Sequence, residues 1–187
     1  NPVNGNVYLS VSRGSGKDEV STVLTIDPKS NAISEFDFTG KKSTKTMLPN
    51  AAESKKSRRG GNQRMEAITD MAFIDGQVYV AGLSNEEFAS NLRAISYPFS
   101  NVDKGCSIEI YHGAHGKFET RSPIRTFAAL EVDDEVNLLA AYTCTPLVRI
   151  PVGQLKPETK VKGTTIAELG NRNRPLDMVV YKKDDKD

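Results

Sequence analysis

Apolar residues recur along this chain in short runs, and few of the runs have helical spacing. Val7–Ser12 (VYLSVS) alternates with a period of two, as a half-buried strand does. Thr22–Ile26 and Ile33–Phe38 continue the series, separated by Asp27-Pro28-Lys29-Ser30-Asn31, which has turn chemistry. Ile68–Ile74 and Gln77–Leu83 are joined by Asp75-Gly76, a two-residue hairpin signal. Further strands are predicted at Leu92–Tyr97, Ser107–Tyr111, Arg125–Leu130, Asn137–Tyr142, Leu147–Ile150, Thr164–Leu169 and Leu176–Tyr181. Only Asn85–Leu92 reads as a short helical turn. Short strands divided by turn signals predict an all-β fold: sandwich, barrel or propeller.

The spacing favours a β-propeller, whose blade is a four-stranded antiparallel meander running A to D from axis to rim. Residues 68–112 supply one such set and residues 125–169 a second, with first strands 57 residues apart. Residues 7–38 read as strands B, C and D of an earlier blade, and 176–181 as a lone A strand. About three blades' worth of strands is too little for a closed ring, and the tail Tyr181–Asp187 reads as a hairpin turn before a missing strand. The expectation is therefore one partial domain over 1–187, completed by a longer polypeptide or by a second copy. A β-sandwich is the alternative fold.

Composition narrows the function classes. A net charge of +1 lacks the dominant basic surface of a nucleic-acid binder. No apolar run is long enough for a membrane-spanning helix, and there is no secretory leader pattern. The chain begins at Asn1-Pro2 rather than Met. Cys106 and Cys144 flank predicted neighbouring strands and are expected bonded or close, as one disulfide or two free thiols. Segment 39–67 carries Lys41, Lys42, Lys45, Lys55, Lys56, Arg58, Arg59 and Arg64 among Ser, Gly and Asn, and reads as a basic, flexible insertion. Ser12–Lys17 lacks the spacing of a phosphate loop.

The assigned strand phase gathers the unusual polar residues in loops at one end of the strands. Loops 84–91, 113–124, 143–146 and 170–175 are predicted to converge there, whereas Asp75-Gly76 and Asp133-Asp134-Glu135 turn at the other end. Rigid scaffolds commonly present function on such loops. His112 and His115, the only histidines, stand in Tyr111-His112-Gly113-Ala114-His115-Gly116, with Glu119 following. Two imidazoles and a carboxylate can hold a divalent metal. Alternatively, His112 ends a strand and His115 bonds a loop carbonyl. Asn85, Glu86 and Glu87 can hold a hard cation, supply a general base, or follow Ser84 at a helix cap. Arg172 and Arg174, with Asn171 and Arg121 in the same set of loops, can grip a carboxylate or phosphate; alternatively Arg121, Arg125, Arg172 and Arg174 make internal ion pairs with Glu86, Glu87 and Glu119.

Residues 68–83, ITDMAFIDGQVYVAGL, resemble strands of bacterial β-propellers, and Ile68–Tyr181 as a whole resembles extracytoplasmic propellers of unassigned function. The resemblance implies export, to the periplasm or the outside. Gluconolactonase-type propellers hold a divalent cation at the centre of their loop face; Asn85 and Glu86 are the candidates here, but that family's motif is not matched. Two functions follow as expectations. One is a propeller that binds a small-molecule or protein ligand on its loop face, with a divalent metal ion. The other is a metal-dependent oxidoreductase or hydrolase using His112, His115, Glu86 and Glu119.

Overall fold

The computed structural model describes residues 4–14, 18, 20–56 and 61–181, with Cys144 and Thr145 described in their backbone. The protein is all-β, built of antiparallel sheets with short 3-10 turns and no closed barrel among the described residues. No described helix is long and apolar enough to cross a membrane. The chain divides into two compact units, Asn1–Ser43 and Thr44–Asp187.

The first unit is a three-stranded meander of β1 (Val7–Arg13), β2 (Val20–Ile26) and β3 (Ile33–Glu35). Its second turn works as the residues predict. Asp27 accepts from the Lys29 amide at 2.9 Å and the Ser30 hydroxyl at 2.8 Å, and Asn31 takes the left-handed conformation. β3 stops at Glu35 rather than Phe38, although the Phe36 amide still donates to the Val23 carbonyl at 2.7 Å; Phe36 and Phe38 stack edge-on with each other. Thr22 is the one buried residue described in this unit.

The second unit contains two sheets. β4 (Asp70–Ile74), β5 (Gln77–Leu83), β6 (Ser90–Ser96) and β7 (Cys106–His112) form the first meander. β8 (Lys117–Glu119) folds back on β7. β9 (Ile124–Val132), β10 (Glu135–Tyr142), β11 (Cys144–Pro151) and β13 (Thr164–Asn173) form the second. Between the last two strands, β12 (Lys160–Lys162) leaves its neighbours and pairs in parallel with β7. Asp75-Gly76 and Asp133-Asp134 adopt positive φ at both central positions, matching hairpin turns to strand twist.

The two sheets bury one core. Alternate residues Cys106, Ile108 and Ile110 of β7 meet Leu138, Ala140 and Tyr142 of β10 and Val148 and Ile150 of β11. Leu138 and Ile150 are fully buried, each contributing roughly 1.5–3 kcal/mol. Polar bonds tie first strand to first and last to last: Asp70 accepts from the Phe127 amide at 2.8 Å, and Thr165 donates to the Tyr111 carbonyl at 2.7 Å. Pairs of propeller blades and pairs of sandwich sheets both pack face to face in this way.

Several expectations are corrected. Leu176–Tyr181 forms no strand: its apolar side chains find no ladder partner, and Leu176 and Val179 are largely exposed. The strand arithmetic that asked for a longer polypeptide or a second copy loses its final strand. Residues 182–187, expected as a hairpin turn, lie outside the described residues, as do 15–17 of Ser12–Lys17. Asn85–Leu92 is not helical; Ser84 accepts from the Glu86 amide at 3.3 Å in a local turn, and β6 begins at Ser90. Of the two cysteines, for which one disulfide and two free thiols are both open from the sequence, Cys106 carries a free thiol, and the side chain of Cys144 lies outside the described residues. Within segment 39–67, Asn50, Ala52 and Ala67 are buried, with Ala52 and Ala67 packed around Leu83; Arg58 and Arg59 lie outside the described residues.

Candidate metal centre

The register of one hairpin builds the site. Ile110 pairs with Glu119, Tyr111 with Phe118 and His112 with Lys117. Side chains two apart on a strand share a face, so His112 and Glu119 are diagonal neighbours on the same side. Tyr111 and Phe118 fall on the other, stacked edge-on at 5.3 Å under the Lys162 ammonium. Gly113–His115 forms a 3-10 turn closed by the Gly116 amide on the Gly113 carbonyl at 3.0 Å. Gly116 takes φ 62°, a left-handed conformation that glycine adopts without strain. A side chain on Gly113 would strike Glu168, whose carboxylate accepts the Gly113 amide at 2.9 Å. This turn swings His115 over the strand end, its ring 3.9 Å from that of His112.

Glu119 then bridges both rings. Nδ1 of His115 lies 2.7 Å from Oε1, Nδ1 of His112 lies 3.2 Å from Oε2, and the Ser122 hydroxyl donates to Oε2 at 2.9 Å. Burial pushes the Glu119 carboxyl up, but the bonds from His115, His112 and Ser122 outweigh it and hold the group below its ordinary range. An ionised carboxylate only accepts, so both Nδ1 atoms donate. In the neutral rings both Nε2 lone pairs remain available. His112 Nε2 is fully buried and has no hydrogen-bond partner among the described residues, a costly state for a polar atom unless something occupies it.

His112, His115 and Glu119 present ligand atoms all within 4.8 Å of one another and could hold a metal ion. Two imidazoles and a carboxylate suit borderline ions such as zinc better than calcium or magnesium. Glu119 can ligate directly or, as the bonds above place it, orient both imidazoles from behind.

The group opens into a cavity of about 540 Å³ that Arg121, Arg125, Thr143 and Arg174 also line. Asn85, Glu86 and Glu87 line an adjoining hollow of about 360 Å³, shared with Arg121. Asn171 and Arg172 are exposed on the end of β13 and line neither hollow. Of the ion pairs weighed from the sequence, those joining Arg121, Arg125, Arg172 or Arg174 to Glu86, Glu87 or Glu119 do not form among the described residues. Glu86 lies 3.8 Å from Lys104, and Arg125 is taken by Glu66 at 2.8 Å and by the Thr143 hydroxyl at 2.8 Å. Sequence reasoning missed Glu66, Ser122 and Glu168. Only Ser122, three residues past Glu119, gave a local signal.

Set against protein-family models, curated proteins and solved structures, the chain matches none.

Proposed function

We propose that this protein is a ligand-binding β-propeller segment that takes up one borderline divalent ion, zinc as the reference case, through His112, His115 and Glu119. One observation carries the reading: the only two histidines and a carboxylate converge within 4.8 Å beside a cavity, with His112 Nε2 buried and unpartnered. The propeller reading draws support from two consecutive four-stranded meanders whose first strands, β4 and β9, and last strands, β7 and β13, lie side by side. The test is zinc loading, desalting and metal analysis of the wild type and of His115→Ala. One zinc per chain in the wild type, lost in the variant, is the expected result. A wild type that retains no zinc after stoichiometric loading overturns the reading.

A second reading, a metal-dependent hydrolase or oxidoreductase, is favoured by one feature. Three protein ligands beside an open cavity leave a coordination position for water, the pattern of catalytic zinc sites. Turnover of an activated ester by zinc-loaded protein, abolished in His115→Ala, supports it; no turnover leaves the binding reading alone.

A further inference from the structure

The cavity beside the metal-capable group is lined by more cation than anion. Arg121, Arg125 and Arg174 face it together with Glu66 and Glu119. The two carboxylates are committed elsewhere. Glu66 is engaged with Arg125 at 2.8 Å, and Glu119 with His112, His115 and Ser122. Arg121 and Arg174 have no ion-pair or hydrogen-bond partner among the described residues, although both border the same space as the histidines. Beside a cation held by His112 and His115, two unpaired guanidinium groups would make the pocket positive, and planar guanidinium forks match the oxygens of phosphate and carboxylate. Geometry separates these two ligand classes. A carboxylate has two oxygens and cannot serve a metal and two arginines with separate atoms. A terminal phosphoryl group has three oxygens to distribute.

We infer that the cavity binds a phosphoryl group, inorganic phosphate or the phosphate of a small monoester, held between the ion at His112 and His115 and the guanidinium groups of Arg121 and Arg174. The inference rests on the metal reading above and names the ligand of that same site. His112 Nε2, buried and unpartnered, is the second observation that points to an occupant here. Arg125 is not part of the clamp. Its bonds to Glu66 and Thr143 hold it as part of the wall.

The test is calorimetric titration of inorganic phosphate, phenyl phosphate and acetate into protein that is zinc-loaded and, separately, chelator-stripped, with zinc content measured in parallel. The variants are Arg121→Gln, Arg174→Gln and Lys156→Gln. The last removes one positive charge beyond the opposite end of the strands, where the Glu158 amide bonds Gly105. Binding of both phosphates, strengthened by zinc, stronger than acetate and weakened about tenfold or more in each arginine variant but not in Lys156→Gln, is the expected result. Equal weakening in equally folded Lys156→Gln reduces the effect to net charge and overturns the inference. Zinc retention without phosphate binding, or with acetate bound as tightly, overturns the inference while the metal reading stands. Arginine-dependent phosphate binding to a protein that retains no zinc leaves the anion site and removes the metal reading. Failure of both removes both.

Discussion

His112 and Glu119 are held 3.2 Å apart, Nδ1 to Oε2, as diagonal neighbours across the β7–β8 hairpin, although one ring is buried and the other group reaches the cavity. The pairing fixes the tautomer of His112 and turns Nε2 away from the carboxylate.

Replacing Glu119 by Gln removes the anionic acceptor and leaves the fold's register intact. Metal affinity should fall by at least about 10–100-fold, the loss when an orienting carboxylate behind a ligating histidine is removed, and by more where Glu119 itself ligates. Stability against pH gives a second readout in metal-free protein. The folded carboxyl is held below the usual 4.5, so between the folded and unfolded values the unfolded chain binds more protons. The stability Glu119 contributes is therefore present above about pH 4.5 and is lost as pH falls through its lower folded value. Denaturant melts from pH 6 to 3 should be flatter in Glu119→Gln. An unchanged slope would contradict the hydrogen-bonding scheme.

Arg93 carries a different burden. Its side chain is fully buried, and burial lowers its pKa while Glu86, Asp103 and Cys106 oppose the shift. Its one hydrogen bond goes from Nη2 to Asn50 Oδ1 at 2.7 Å, and Nε and Nη1 have no partner among the described residues. Asn50→Ala should cost about 1.5–3 kcal/mol, the range for a bond to a charged group. In Arg93→Met, which removes the buried charge, the same Asn50→Ala change should cost measurably less. Urea melts of the double-mutant cycle check this. Additive losses would show that Asn50 does not support the guanidinium.

Where strands pair with sequence neighbours, the chain was readable. The alternation of β1, the Asp75-Gly76 and Asp133-Asp134 turns, and the consecutive meanders all follow from local chemistry. β12 was not readable, because Lys160-Val161-Lys162 has one apolar residue and its pairing with β7 is tertiary. Leu176–Tyr181 misled for the opposite reason: its composition suits a strand, but strands need a partner edge. The site divides along the same line. The His112–His115–Glu119 group is local to one hairpin and could be read from spacing. Glu66 on Arg125 and Glu168 on Gly113 join residues 59 and 55 apart, and no local pattern encodes them.

Gly82 faces the carbonyl of Ala67, the residue that ends the 3-10 turn Gln63–Glu66, so closely that an added methyl group would overlap it. The obstacle is backbone and cannot rotate away. Gly82→Ala should destabilise the protein by about 1–3 kcal/mol through overpacking. Because Glu66 sits at the end of that turn, the change should also disturb its pair with Arg125 at the cavity wall. Thermal melting and cavity-ligand titration would register the two effects. A variant as stable as the wild type would mean the turn can withdraw at little cost.

Cys106 should be chemically silent in the folded protein. Burial in the core is the main reason its thiol is pushed up to about 12, from an ordinary value of 9.0, and Asp103 adds to it. Its Sγ donates to the Leu92 carbonyl at 3.3 Å, so the proton is also held in place. At pH 8 a group with that pKa is ionised to only about one part in ten thousand, and the thiolate is the reacting species. Steric access fails as well, since Cys106 is only 1% exposed within the core. Iodoacetamide treatment at pH 8 followed by peptide mass spectrometry should leave Cys106 unmodified in native protein and modify it fully in guanidinium. Rapid native labelling of the Cys106 peptide would show that β7 opens locally, which would also release His112 from the face it shares with Glu119.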